Sequence, residues 1–77
     1  MEKLEINESI QDIYKKLLNV QELDTGLSFL QLGGQSIMAA KLQLECVKAF
    51  KIRLTFKEIY DNSSADEMSK LICDRLN

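Results

Sequence analysis

The sequence predicts an all-α fold, a four-helix bundle of three longer helices and one short one. Three observations predict it. Apolar residues recur at intervals of three and four along most of the chain, as in helices buried on one face. There is no proline, and the glycines are confined to Gly26, Gly33 and Gly34, so helices are uninterrupted outside that stretch. Thr55 with Glu58, and Ser64 with Glu67, each have the spacing of a reciprocal helix cap.

The first helix is predicted over residues 7–19. Ile6, Ile10, Ile13 and Leu17 form its inner stripe, which Tyr14 and Leu18 widen. Asn7 is placed to cap it, Glu8 lies in its first turn, and Lys15 and Lys16 suit its negative end. Residues 20–35 follow as a long loop, with turn signals at Asp24-Thr25-Gly26 and at Gly33-Gly34. Its apolar residues need cover, so Phe29 and Leu32 are expected to insert between the helices. Long loops in small domains are usually functional.

A second helix is predicted over 37–50, with Ser36 as its N-cap. At about 100° per residue, Ala39, Leu42, Cys46, Ala49 and Phe50 share one face. Ile37, Ala40, Leu44 and Val47 share the opposite one, with Ser36 at its edge. A small bundle has a core for one such stripe. The second is either a surface for a partner or is covered by Leu27 and Leu30 of the long loop. A link over 51–54 leads to a short third helix, opened by the Thr55/Glu58 box and ending near Asp61-Asn62. Phe56 and Tyr60 are read as core and half-core. The Ser64/Glu67 box opens a last helix to about Leu76, with Met68, Leu71, Ile72 and Leu76 facing inward.

At 77 residues the chain is a single domain spanning 1–77. A domain of this size buries only about 60–65% of its unfolded surface, which suits docking or carrying better than a supported catalytic cleft. The apolar content of 45% argues against disorder. A net charge of −2 with no basic patch argues against nucleic acid. No apolar run is long enough for a membrane span and no signal peptide is visible, so a cytoplasmic location is expected. The chain has no histidine, and Cys46 and Cys73 lack metal-binding spacing. No metal site and no acid, base and nucleophile set can be assembled, so no catalytic residue is assigned and the chain is not expected to be an enzyme. Both cysteines are expected reduced and partly buried.

Ser36 is the candidate functional residue. Gly33 and Gly34 allow a tight, exposed approach to the helix start, where a hydroxyl stands at the positive end of the helix dipole, a favourable place for phosphate. Taken alone, a Ser in that place is most often only a cap. Here Ala39 occupies the position that a capping box gives to Glu or Gln, so the reciprocal half is missing.

The run Phe29-Leu30-Gln31-Leu32-Gly33-Gly34-Gln35-Ser36-Ile37 resembles the phosphopantetheine-attachment motif of peptidyl carrier (thiolation) domains of nonribosomal peptide synthetases. The resemblance extends over about residues 6–76, through Leu42, Phe50, Ile52, Leu54, Phe56 to Asp61, and Ser63 to Ala65. It implies an acyl-carrier-protein type of bundle with a long first loop. It also implies 4'-phosphopantetheine, derived from coenzyme A, attached to Ser36 by a Mg²⁺-dependent phosphopantetheinyl transferase. Gly33, Gly34 and Gln35 would shape that site. The arm would hold an aminoacyl, peptidyl or other acyl group as a thioester. The implied partners are the transferase, an adenylation enzyme or domain, and condensation, tailoring or thioesterase enzymes. Docking would fall on the second helix, where Ile37, Met38, Ala40 and Leu44 are the candidate contacts, and a monomer is expected.

The chain departs from the family at Gln35, where His or Asp is usual, and in the missing proline after the second helix. Fatty-acid carriers have an Asp-Ser-Leu motif and a strongly acidic second helix. Lys41 and Lys48 against Glu45 lean toward the peptidyl or aryl type. An acyl carrier of polyketide or fatty-acid type, and a non-carrier helical module with Ser36 as a cap only, are the alternatives.

Overall fold

A computed structural model describes residues 2–76. Four helices follow one another: α1 over Lys3–Leu18, α2 over Ile37–Phe50, α3 over Phe56–Asp61 and α4 over Ala65–Leu76. No strand occurs among the described residues; an isolated antiparallel bridge joins Ser28 to Ser64. The predicted all-α bundle of three longer helices and a short one is the observed architecture, and α2 and α3 lie on their predicted bounds.

α1 starts at Lys3, ahead of the predicted residue 7, and Asn7 lies inside it rather than capping it. The reason is packing. Ile6 continues the stripe of Ile10, Ile13 and Tyr14, and all four are buried, so the helix extends to bury it. No side chain caps this end, and the acidic Glu5 in the first turn is the local mark of the start. At the other end Asn19 takes the left-handed conformation at φ 57°, and its N–H reaches the Lys15 and Lys16 carbonyls.

Both predicted capping boxes form. The Thr55 hydroxyl accepts from the Glu58 N–H at 3.1 Å, and the Glu58 carboxylate accepts from the Thr55 N–H at 3.0 Å. The Ser64 hydroxyl accepts from the Glu67 N–H at 3.1 Å, and the Glu67 carboxylate accepts from the Ser64 N–H at 3.3 Å. Ser64 is buried and both its polar groups are thereby satisfied.

α1 packs against α4 and α2, and α2 against α3. Ile6, Ile10, Tyr14, Leu42, Cys46, Leu54, Ile59, Met68 and Ile72 are almost fully removed from solvent. On α4, Met68 and Ile72 face inward as predicted and Leu71 is partly buried, but Leu76 is 37% exposed. Ala65, Ser69 and Cys73 complete the buried face instead. Phe56 and Tyr60, expected in or near the core, are 50% and 42% exposed. A six-residue helix buries a narrow side, and Ile59 takes it.

The long loop is pinned across the bundle. Phe29 inserts as predicted and is 1% exposed, while Leu32 is half-buried. The Phe29 N–H donates to the Ser63 carbonyl at 3.1 Å, and the Tyr14 hydroxyl donates to the same oxygen at 2.8 Å. The Asp66 N–H donates to the Thr25 carbonyl at 3.0 Å. One anchoring point thus ties the loop to α1 and to the turn between α3 and α4. Loop closure is costly in entropy; burial of the Phe29 ring, on the order of 2 kcal/mol, helps to offset it.

Candidate functional site

Two glycines set the approach to α2, for different reasons. Gly33 has φ +91°, a conformation that side chains rarely tolerate, yet its missing Cβ would face open space. Gly34 has no conformational need of that kind. A Cβ there would stand 2.6 Å from the Phe29 carbonyl oxygen, 2.6 Å from the Met38 sulfur and 3.2 Å from Leu18. The Gly34 N–H donates to the same Phe29 carbonyl at 2.7 Å. The loop therefore folds back on the buried Phe29 residue and releases the chain into α2 immediately beyond.

Ser36 is at that release point and is exposed. Its backbone is already helical, at φ −60° and ψ −27°, and its hydroxyl makes no capping hydrogen bond. The expectation that it acts as N-cap is thus met in position and not in chemistry. A capping side chain reaches back over the first N–H groups from an extended backbone, and Ser36 does not have that backbone conformation. The first turn of α2 contains no acidic residue, so the positive end of the helix is not neutralised locally. Lys41 lines a small depression with Gly33, Gly34, Gln35 and Ile37, adding positive charge on the same side.

A shallow groove of about 380 Å³ begins at Ser36 and is lined by Ile37, Ala39, Ala40, Phe56 and Tyr60. The sequence pattern alone puts Phe56 and Tyr60 toward the inside of the bundle. Their spacing of four places them on one side of α3, a signal the sequence does contain, but it leaves open whether that side meets the core. Tyr60 lies against Phe29, with ring centroids 6.1 Å apart at 43°, so the residue that anchors the loop also steadies the groove wall.

The second apolar strip of α2 is uncovered. Ile37 and Leu44 are each 60% exposed and Val47 40%, while Ala40 is half-buried. The loop residues that could have covered it, Leu27 and Leu30, are themselves exposed. Met38, grouped with this strip as a candidate contact, is buried and packs toward Gly34. It stands one residue beyond Ile37, about 100° round the helix, on the inward side. Gly33, Gly34, Gln35 and Ser36 are brought together at one end of Ile37, Ala40 and Leu44, and Met38 is a packing residue beneath them.

The cysteines do not join the site. Cys46 and Cys73 are unpaired and buried. Burial, with a smaller contribution from the Glu45 charge, pushes the Cys46 thiol up to about 11. Tyr14 is also raised, chiefly by burial, and stays a hydrogen-bond donor to Ser63. No cluster of three metal-ligating side chains occurs among the described residues, and no described helix is long and apolar enough to cross a membrane.

Comparison with known proteins bears on this geometry. Residues 8–72 match the family described as phosphopantetheine attachment site. One component of the linear gramicidin synthase of Brevibacillus parabrevis is 28% identical over 67 residues, covering 87% of this chain and 1% of that protein. Nonribosomal peptide synthetase 30 of Fusarium vanettenii is 32% identical over 66 residues, covering 83% of this chain and 1% of that protein. The chain thus spans about one hundredth of the length of these relatives. Among solved structures, BlmI is a type-II acyl carrier protein from Streptomyces verticillus involved in bleomycin biosynthesis. It superposes with a TM-score of 0.89 at 19% identity, over 97% of this chain and 90% of that one. A chain from the complex of the phosphopantetheine transferase Sfp with coenzyme A and a peptidyl carrier protein gives 0.83 at 14% identity, over 90% of each. The fold is that of the acyl carrier proteins, as the motif resemblance implied.

Proposed function

The chain belongs to the phosphopantetheine attachment site family, and from that premise we propose that it is a peptidyl or aminoacyl carrier of nonribosomal peptide biosynthesis whose arm is attached to Ser36. The observation that carries the reading is the uncommitted hydroxyl of Ser36: exposed, bonded to no backbone group, and standing at the start of α2. A cap-only role would require the bond that is absent. The residues fit the group. The first turn of α2 lacks an acidic side chain, which favours a phosphodiester at its positive end, and a groove opens beside Ser36 for the arm to cross.

When attached, phosphopantetheine supplies a terminal thiol that holds an acyl group as a thioester. This chain supplies the oxygen. In the attachment step Ser36 Oγ forms the new bond to the pantetheine-bearing phosphorus of coenzyme A. The phosphoanhydride bond breaks, and adenosine 3',5'-bisphosphate leaves. The hydroxyl proton goes to a base on the transferase, because the chain has no histidine and the Ser36 hydroxyl makes no capping bond among the described residues. Gly33 and Gly34 keep the approach to Ser36 free of side chains, and Gln35 stands beside it. Ile37, Ala40 and Leu44 offer the apolar contact for the transferase and for the adenylating, condensing or hydrolysing enzymes that follow. The chain, a single carrier domain, would present its cargo and leave the chemistry to these partners, in the cytoplasm where coenzyme A is available.

The test is incubation with coenzyme A, Mg²⁺ and a broad-specificity phosphopantetheinyl transferase, followed by intact-mass measurement. The wild type should gain one phosphopantetheine and Ser36→Ala none. No gain on the wild type, or an equal gain on the variant, overturns the proposal.

A further inference from the structure

Resting on the reading of α2 as the docking helix, we propose that its partner presents an apolar ridge bordered by carboxylates. The exposed strip of Ile37, Leu44 and Val47 supplies the apolar floor. Its border is cationic. Lys41 and Lys48 are a heptad apart and so fall within about 20° of each other around the helix, beside Ile37 and Leu44. Lys51 ends the helix at φ 58°, and Arg53 follows in the exit segment. All four cations are exposed.

Val47, Leu44 and Gln43 join Lys51 and Arg53 around a surface groove of about 340 Å³. The Gln43 side-chain amide donates to the Leu54 carbonyl at 2.5 Å, which holds the segment carrying Arg53 against α2. The groove is therefore a fixed feature with an apolar wall and two cations at its end.

None of the four cations on this face makes a salt bridge among the described residues, although Lys48 is near enough to Glu45 to help lower its pKa. The ion pairs among the described residues are Lys16 with Glu45, Lys57 with Asp61, and Arg75 with Glu58. None uses Lys41, Lys48, Lys51 or Arg53. Glu45, the sole acid of α2, is turned to Lys16 of α1 at 2.8 Å. A partner must meet these cations with carboxylates, and one bordered by Lys or Arg is repelled as it approaches. The apolar centre contributes affinity and the rim contributes selection and encounter rate.

The assay uses the full chain, ¹⁵N-labelled, and two synthetic amphipathic peptides of about four helical turns. One has a leucine ridge flanked by glutamates, the other the same ridge flanked by lysines. The glutamate peptide should shift the amide resonances around Leu44, Val47 and Lys51, weaken with salt, and bind about ten-fold tighter than its lysine twin. A triple variant, Lys48→Glu with Lys51→Glu and Arg53→Glu, should reverse that preference, at roughly two- to three-fold per exposed charge. Equal affinity for the two peptides, or shifts that map elsewhere, refutes the assignment. Self-association of the free chain on this face refutes it too, since exposed Glu2, Glu5, Glu8 and Asp12 would then make a second copy the occupant. Neither peptide engages Ser36. A chain that takes the arm but does not discriminate the peptides sinks the charge assignment alone. One that discriminates them but takes no arm sinks the carrier reading alone.

Discussion

Replacing Gly34 by alanine should destabilise the domain strongly, although it adds one methyl group. The Cβ would stand 2.6 Å from the Phe29 carbonyl oxygen, inside the 3.0 Å that Cβ atoms essentially always keep. Met38 can swing its sulfur aside, but the carbonyl belongs to a buried residue and accepts the Gly34 N–H at 2.7 Å. Relief must lengthen or break that bond. Overpacking costs about 1–3 kcal/mol and the lost hydrogen bond about 1, so the sum is roughly 2–4 kcal/mol. At about 2.1 cal/mol/K per residue, a chain of 77 residues loses about 6 °C of Tm per kcal/mol. Gly34→Ala should therefore melt roughly 12–25 °C below the wild type.

Gly33→Ala is the control. It meets nothing within 4 Å and suffers only from φ +91°, a cost of about 1–2 kcal/mol. Thermal and urea denaturation followed by circular dichroism measure both variants. A Gly34→Ala protein within about 0.5 kcal/mol of the wild type, or a larger loss at Gly33, would refute the close-approach explanation of the motif.

The other predictions concern the bundle's polar anchors and thiols. Tyr14→Phe removes a hydroxyl that donates to the Ser63 carbonyl at 2.8 Å; that carbonyl keeps the Phe29 N–H, so the loss should be only about 1 kcal/mol in urea denaturation, and a loss above about 3 contradicts this accounting. Cys46, held up to about 11, should have about a thousandth of its thiol ionised at pH 8, so its reaction with a disulfide reagent should be at least about a hundred-fold slower than that of a free thiol, and a fast Cys46 signal in peptide mapping contradicts the burial. Glu45 is depressed by its hydrogen bond to Lys16. Its contribution is thus present above the unfolded carboxylate range and lost as pH falls through the lower folded value. Glu45→Gln should cost at most about 0.5 kcal/mol at pH 7 and nothing near pH 2, and an equal loss at both pH values would show that the ion pair is not responsible.

What the sequence by itself determined was whatever rests on local chemistry and spacing. The bounds of α2 and α3 were legible because Thr55 with Glu58, and the Gly33-Gly34 punctuation, act on their immediate neighbours. So were the pairing of Ser64 with Glu67, the insertion of Phe29, the burial of both cysteines, and the nonapeptide that led to Ser36. Tertiary structure decided the rest. α1 begins at Lys3 because Ile6 found a place in the core, although no cap marks that end. Met38 is buried, and Phe56 and Tyr60 are left half-exposed beside Ser36. A helical stripe shows that one face is apolar, but which of two apolar faces meets the core depends on what packs opposite. The free hydroxyl of Ser36 belongs with these. Its φ and ψ are helical, just beyond the turn in which the Gly34 N–H meets the Phe29 carbonyl; the glycines announced a turn there, but only the folded backbone showed the hydroxyl without a capping bond.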